Sequence, residues 1–300
     1  MTLEESSELF VGALRFEREM SENTCEAYAR DLRAFAGFAR RRGVDDAAKV
    51  TRELIAEFLR GERERGMASA TRARRTVAIR TFLKYLKARR LVPHDPSELL
   101  DAPKKAKPLP KVLSEEEVFR MIDGVAGTDP RELRDRAMLE VLYGCGLRVS
   151  ELCALKREDV VAEGELLRIF GKGSKERLVP IGEAAGAALR AYFESARGVF
   201  TKGRLDVNEV FVTRLGRPFT RQGVFKVIRE RAAAAGIAAD RISPHVLRHC
   251  FASHMLQRGA DIRAIQELLG HADVGTTQIY THVDVRRFAD IHRRHHPRAT

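Results

Sequence analysis

Two observations predict a mainly α-helical protein with a small antiparallel β-sheet, arranged as two lobes. Apolar residues recur at helical spacing along much of the 300-residue chain, and only one short stretch is typical of paired strands. Half of the ten prolines fall in 93–110, which separates a helical region from a mixed one. Because 300 residues exceed what one small core needs, two domains are the default expectation.

The composition favours a polyanionic partner. The net charge is +12, and the isoelectric point is about 9.9. Basic side chains displace counterions condensed on nucleic acid, although charge alone would also suit a basic protein without such a partner. The four cysteines lack CxxC spacing, which gives no sign of a disulfide framework or zinc knuckle and fits a reducing, cytoplasmic setting. The acidic N-terminus resembles no signal peptide, and no apolar run reaches membrane-spanning length, so we expect no membrane association.

The first lobe, residues 1–102, is predicted to be an all-helical bundle of about four helices. Apolar stripes at helical spacing run from Leu9 to about Lys87, and glycines interrupt them. Residues 71–90 carry eight Lys or Arg and no acid. Most charge runs are solvated surfaces, but those usually mix signs, so we favour a helix that contacts a nucleic-acid backbone. The candidate contacts are Arg72, Arg74, Arg75, Arg80 and Lys84.

A basic, proline-rich linker is predicted over residues 103–112, and the second lobe over 113–300. Ser114 begins a capping box, and 137–142 forms a nearly all-apolar helix around Glu140. Gly144 and Gly146 end that helix, and Arg148 follows directly. Strands at 165–170 and 177–181 are predicted to form a hairpin with Lys172 in its turn, and a helix is predicted from about 220 to 235.

The stretch 243–283 carries most of the candidate chemistry. Ser243 and Pro244 start a helix that should stop at Gly259, with His245 and Arg248 on one face. A second helix should run from Asp261 to Gly270, followed by His271 and then a short helix carrying Tyr280. After Val283 we expect a polar, basic helix that is an arm rather than core.

Each of these residues alone has a simpler explanation. Arg148 would be an ordinary surface arginine, Lys172 a hairpin tip, and Tyr280 a core aromatic. The GKGSK stretch lacks P-loop spacing, and His245 with His249 makes a weak zinc candidate without an HExxH motif or clustered carboxylates. We therefore expect no metal or other cofactor.

Together the same residues suit work on a phosphodiester. Two arginine forks can bind its non-bridging oxygens, most strongly when those oxygens gain charge in the transition state. Histidines can donate to these oxygens or accept a proton near neutral pH, whereas a tyrosine hydroxyl needs activation to attack. A lysine can supply the proton that a departing hydroxyl requires.

The ordered set Arg148, Lys172, His245-x-x-Arg248, His271 and Tyr280 resembles the tyrosine recombinase (phage integrase) family. HVLRH and LLGH…TTQIYTH match its two signature boxes, and the resemblance covers the whole chain. The length, the positions of Arg148 and Lys172, and the tail HHPRA look most like the Xer recombinases.

The resemblance implies a SAM-like, core-binding N-terminal bundle and an α+β catalytic domain with a C-terminal subunit-docking helix. It implies that Tyr280 attacks the scissile phosphate and leaves a 3′-phosphotyrosyl link. Arg148, Arg248 and His271 would hold the phosphate, His245 would act as base or donor, and Lys172 as general acid. Glu151 would orient Arg148. It further implies double-stranded DNA as substrate, a heterotetramer with a partner Xer-type recombinase at a chromosome dimer-resolution site, and control by an FtsK-like DNA translocase.

Two alternatives stay open. In the first alternative, the chain is a mobile-element integrase or a relaxase that uses the same chemistry. In the second, it is a sequence-specific DNA-binding protein without catalytic activity, and such a protein should lack at least one of the catalytic residues.

Overall fold

The chain comprises two compact units, Met1–Lys107 and Pro108–Thr300. A computed structural model describes residues 1–17, 20, 22–98, 112–171, 176–202, 204, 206–270 and 282–299. The division between the units falls inside the predicted linker 103–112, most of which lies outside the described residues. No helix in these described ranges is long and apolar enough to span a membrane.

The first unit is a bundle of four α-helices. They are α1 (Leu3–Phe16), α2 (Glu22–Arg41), α3 (Arg52–Glu64) and α4 (Ser69–Ala88). A capping box at Thr2 starts α1, and the Thr51 hydroxyl accepts from the Leu54 N–H to start α3. Phe10, Phe35 and Phe58 are fully buried in the shared core. The predicted all-helical lobe is therefore confirmed.

The second unit combines helices with a small sheet. Its helices are α5 (Glu115–Asp123), α6 (Pro130–Gly144), α7 (Val149–Ala154), α8 (Glu183–Tyr192), α9 (Gly198–Thr201), α10 (Arg221–Ala234), α11 (Pro244–Gln257), α12 (Ile262–Leu269) and α13 (His282–His295). A π-helical turn over Phe193–Arg197 joins α8 to α9. The sequence patterns do not predict α8 or this turn.

The sheet is antiparallel, with strand order β1 (Val160–Val161), β2 (Leu166–Phe170) and β3 (Glu176–Pro180). The register pairs Phe170 with Glu176 and Ile169 with Arg177. The predicted mainly α fold with a small antiparallel sheet is confirmed, and the hairpin strands lie within one residue of their predicted starts and ends. The short strand β1 is not anticipated by the sequence.

Helix α6 lies at the centre of the second core. Residues 137–144 are all buried, as the apolar run predicts, and α6 packs against α5, α8 and α11. Glu140 is 1% exposed. Its carboxylate accepts from the Arg298 guanidinium at 2.5 and 3.0 Å, because a buried charge requires a partner.

The C-terminal segment belongs to this core. Phe288 packs with α11 and α12, and His292 Nε2 donates to the Gly144 carbonyl at 2.7 Å. His292 stacks on His296 with ring centroids 4.7 Å apart. Arg298, in the turn that follows α13, donates to Glu140 and Asp123. The prediction of an arm rather than core is therefore wrong for residues 288–299, and docking of this segment on a neighbouring subunit stays a prediction.

Burial keeps the two stacked histidines neutral. It lowers the pKa of His292 to about 4, and that of His296 falls well below its ordinary value because of burial and the neighbouring His292. The unfolded chain binds these protons with a pKa near 6.5, so it takes up more protons than the folded protein as the pH falls. The stability that His292 contributes is complete above pH 6.5 and is lost as the pH falls toward 4.

We expect His292→Asn to flatten the acid dependence of stability. From its lowered pKa, His292 alone should cost wild type about 2 kcal/mol of unfolding free energy between pH 7.5 and pH 5. Urea denaturation at these two pH values measures the loss. His249→Asn, which removes an exposed histidine of α11, is the control and should keep the wild-type slope. Equal acid slopes for wild type and His292→Asn would contradict this assignment.

Candidate functional site

The turn after α6 places Arg148 and Glu151 together. Arg148 is the N-cap of α7, and Glu151 occupies its third position. The Glu151 carboxylate accepts from the Arg148 backbone N–H at 2.7 Å and from its guanidinium at 2.8 Å. The helix start thereby fixes the rotamers of both side chains.

Two further guanidinium groups surround the Glu151 carboxylate. Arg177 of β3 donates to it through both terminal nitrogens, each at 2.9 Å. Arg248 of α11 lies 3.8 Å from the same carboxylate. Burial raises the pKa of Glu151, but the hydrogen bonds and charge of Arg177, with the bonds from Arg148, outweigh it and leave the pKa below its ordinary value. Glu151 is therefore ionised among three arginines.

The C-terminus of α12 provides the other acceptors for these arginines. Three consecutive carbonyls, of Leu268, Leu269 and Gly270, accept from Arg177 at 3.0 Å, Arg248 at 2.5 Å and Arg148 at 3.4 Å, respectively. The last carbonyls of a helix have no intrahelical donor and carry partial negative charge. The end of α12 thus compensates part of the positive charge and holds all three guanidiniums.

Two glycines allow this close approach. Gly146 has φ 57°, its carbonyl accepts from Arg248 at 2.7 Å, and a Cβ there would lie 2.7 Å from the Phe251 ring. Gly270 ends α12 with φ 65°, and a Cβ there would lie 3.1 Å from the Arg177 side chain. Both positions favour glycine for conformation and for space.

The cluster keeps excess positive charge. Three guanidiniums against one carboxylate leave a formal charge of 3 − 1 = +2. Burial, and then the nearby Arg148, lower the pKa of Arg248 to about 10, so that it stays protonated at neutral pH. The Arg148 side chain is 38% exposed. This arrangement can bind an anion with two non-bridging oxygens, such as a phosphodiester.

The other predicted site residues divide into two groups. His245 is exposed in the first turn of α11, which begins as predicted with Ser243 as N-cap and Pro244 at the first position. Lys172, His271 and Tyr280 lie outside the described residues. The residue before His271, Gly270, is described, and so are the paired residues Phe170 and Glu176, between which Lys172 falls in the sequence. No set of three or more potential metal ligands occurs within the described part of the chain.

Sequence reasoning missed Arg177. The sequence pattern predicts only that Arg177 begins a strand, but its side chain faces the core together with Val179. A charged residue at an inward position of a strand requires a buried partner, which is the signal that was available. The partner, Glu151, is 26 positions away in the sequence. Spacing could not identify it.

The basic helix α4 does not present all its cations to solvent. Arg74 donates to the fully buried Asp31 of α2 at 2.7 and 2.9 Å. Arg75 bridges Asp31 and Glu62 of α3, and its side chain is only 13% exposed. These two arginines join α4 to its neighbours, so the interpretation of a nucleic-acid contact does not hold for Arg75. At Arg74, a nucleic-acid contact would compete with the ion pair to Asp31.

A smaller set of cations remains on the outer face of α4. Lys84 is exposed and Arg80 half-buried, one turn apart. Within the described ranges, neither pairs with a carboxylate, and Arg72 has a buried Nε without a hydrogen-bond partner. Val77, 49% exposed, lies on the same face. This face, defined by Val77, Arg80 and Lys84, presents two cations that pair with no described carboxylate, which suits contact with a polyanion.

Family models match both units. Residues 111–287 match the phage integrase family, and residues 8–90 match the phage integrase N-terminal SAM-like domain. Among solved structures, the XerH site-specific recombinase bound to palindromic difH substrate covers 92% of this chain and 81% of that one, with a TM-score of 0.70 at 22% identity. The match to the Tn1549 transposon integrase covers 97% of this chain and 99% of that one, with a TM-score of 0.72 at 19% identity. These likenesses show the fold.

Curated relatives match over nearly their whole length. Tyrosine recombinase XerD of Halalkalibacterium halodurans is 42% identical over 299 residues, which are 99% of each chain. Tyrosine recombinase XerD of Pseudomonas aeruginosa is 44% identical over 289 residues, which are 96% of each chain. Together with the two family models, these matches show that the chain belongs to the phage integrase family, as an Xer-type tyrosine recombinase most similar to XerD.

Proposed function

We propose that this recombinase cuts and rejoins double-stranded DNA at a specific site through a 3′-phosphotyrosyl intermediate on Tyr280, and that it resolves chromosome dimers with a partner Xer recombinase. The observation that carries the chemical part is the cluster of three guanidiniums on one carboxylate, with net charge 3 − 1 = +2. Its excess charge suits a pentacoordinate phosphorus, whose equatorial oxygens gain charge in the transition state.

Arg148 and Arg248 are assigned to the non-bridging oxygens of the scissile phosphate. Both are held by Glu151 and by the end of α12 before substrate arrives, so little reorganisation is needed when charge develops. His271 follows directly on Gly270, whose carbonyl accepts from Arg148, which supports the assignment of His271 to the same phosphate.

Proton transfers are assigned to His245 and Lys172. The Tyr280 oxygen forms the bond to phosphorus, and its proton passes to His245 acting as base, or to solvent where His245 instead donates to a phosphate oxygen. The bond from phosphorus to the 5′-oxygen breaks, and Lys172 supplies the proton to that leaving oxygen. The new ester retains the energy of the phosphodiester, so a 5′-hydroxyl of a second DNA can reverse the step without ATP. The guanidiniums supply the charge stabilisation that metal ions supply in many other phosphoryl transfers.

The biological part of the proposal rests on the relatives. Their match over nearly the full length of both chains supports a shared task, and the XerH recombinase was solved bound to a difH DNA substrate. A heterotetramer with a sister recombinase and control by an FtsK-like translocase follow from the Xer resemblance. The excess of basic residues, 54 Lys and Arg against 42 Asp and Glu, supports DNA as the substrate.

Wild-type protein should form a covalent complex on a nicked duplex. The site is first isolated by selecting bound duplexes from random-sequence DNA, and a nick is then placed next to the cleavage position, so that the short strand is lost and religation is prevented. We expect a protein–DNA adduct that survives denaturing electrophoresis and that is absent for Tyr280→Phe, because phenylalanine lacks the attacking oxygen. Failure of wild type to form any adduct on the selected site would favour a DNA-binding protein without catalysis.

The outer face of α4 should contribute to the salt dependence of DNA binding. Arg80→Ala/Lys84→Ala should lower the slope of log affinity against log salt by about 2, because each lost phosphate contact removes about 0.9. Fluorescence anisotropy with the selected duplex from 50 to 300 mM salt measures the slope. Arg40→Ala/Arg42→Ala removes the same charge from cations already paired with acids of α1 and α3 and should leave the slope unchanged. Equal reductions in both double variants would instead indicate an effect of net charge alone.

A further inference from the structure

Arg177 joins three segments that carry candidate catalytic residues. It lies on β3, five residues after Lys172, and its side chain is 5% exposed. Two of its nitrogens donate to Glu151, and Nε donates to the Leu268 carbonyl at 3.0 Å. Its guanidinium also lies against Gly270, the residue before His271. One buried side chain thereby connects the hairpin strand, the start of α7 and the end of α12.

We propose that Arg177 is a positioning residue of the recombination reaction: it holds Glu151 and the end of α12 in place, and through them Arg148 and Arg248. This inference rests on the phosphate-binding roles proposed for Arg148 and Arg248. It assigns to the strand of the hairpin a task distinct from that of Lys172 in its turn.

Arg177 acts through its neighbours, because it cannot reach a substrate itself. Its side chain is 5% exposed, against 38% for Arg148, and Nε and both terminal nitrogens donate to Leu268 and Glu151 within the protein. The planar fork suits this task, since one guanidinium can satisfy both carboxylate oxygens and still donate from Nε in a third direction. A lysine ammonium offers donors from one point only and cannot reproduce that geometry.

The chain offers a matched control in Arg134. Its side chain is 6% exposed, close to the 5% of Arg177, and it also donates through two nitrogens to a buried carboxylate, that of Asp135. Its guanidinium lies over the rings of Phe200 and Phe219. The Asp135 carboxylate pairs with Arg131, Arg134 and Arg231, and not with Arg148 or Arg248. Replacing Arg134 therefore tests the loss of a buried arginine without disturbing the Glu151 cluster.

The experiment compares Arg177→Lys, Arg177→Met and Arg134→Lys in the full-length protein. The rate of adduct formation is measured at saturating protein on the selected, nicked duplex, together with the affinity for the intact duplex and the thermal unfolding midpoint. We expect Arg177→Lys to slow adduct formation by about 100-fold, since small misplacements of charge-stabilising groups have effects of that size. Affinity should change by less than about threefold, because phosphate contacts spread over the duplex dominate binding. Arg134→Lys should react at the wild-type rate even where its unfolding midpoint falls.

The pH profile separates positioning from a structural role. Among the described residues, the charged groups facing Glu151 are Arg148 at the N-cap of α7, Arg177 of β3 and Arg248 of α11. Arg177 lowers the pKa of Glu151 and burial raises it, so the pKa should rise when Arg177 is removed. Protonation of Glu151 would then weaken its hold on Arg148. The rate for Arg177→Met should therefore fall as the pH decreases from 8 to 5, with its acid limb at higher pH than in wild type. Should Arg177→Met not fold, Arg177→Lys should show the same shift to a smaller extent.

Adduct formation by Arg177→Lys within threefold of wild type would overturn the proposal. The proposal would also be overturned if Arg134→Lys lost rate to the same extent, or if the acid limb of the pH–rate profile of an Arg177 variant lay at the same pH as in wild type. Absence of adduct with wild type would overturn the proposed function and the role of Arg177 with it, whereas a normal wild type beside an unaffected Arg177→Lys would overturn the positioning role alone.

Discussion

The site depends on one carboxylate, that of Glu151, which lies among the guanidiniums of Arg148, Arg177 and Arg248. Three cations this close repel one another in a largely buried environment, and removing the partner of a buried charge typically costs about 3–5 kcal/mol. Glu151 and the partial negative charge at the end of α12 compensate part of this repulsion. The charge they leave uncompensated is held in a fixed position, which suits stabilisation of a phosphate that gains negative charge during reaction.

This arrangement constrains residues that have no chemistry of their own. Gly146 and Gly270 adopt positive φ where a Cβ would contact Phe251 or Arg177, so the backbone can approach the arginines only with glycine. Helix α12 must end at Leu269 for its last carbonyls to be available. The C-terminal segment also supports the site. His292 donates to the Gly144 carbonyl at the end of α6 and so holds the turn that leads to Arg148.

Local signals in the sequence were sufficient for much of this. The N-cap of α11 at Ser243, both ends of α12 and the two hairpin strands follow from capping residues, glycines and periodicity, and Arg148 and Arg248 follow from an ordered motif. Long-range pairing was not accessible. Arg177 meets Glu151 across 26 positions and Arg75 meets Asp31 across 44. Local patterns therefore do not identify the first pair, and they predict a nucleic-acid contact for Arg75 where the structure has a buried ion pair. The burial of His292 and Arg298 likewise depends on α6, far away in the sequence.

The central claim is that Arg148 acts by compensating charge on the scissile phosphate. Its most direct test is strand cleavage of a duplex whose scissile phosphate is replaced by a methylphosphonate, which lacks the negative charge. Arg148→Ala should bind the selected site nearly as wild type does and cleave the natural phosphate about 100- to 1,000-fold more slowly, the typical effect of removing one charge-stabilising donor. We predict that Arg148→Ala cleaves the methylphosphonate duplex faster than the phosphate duplex, because the missing charge no longer needs compensation. Equal impairment of Arg148→Ala on both duplexes, or loss of binding in parallel with cleavage, would contradict the account.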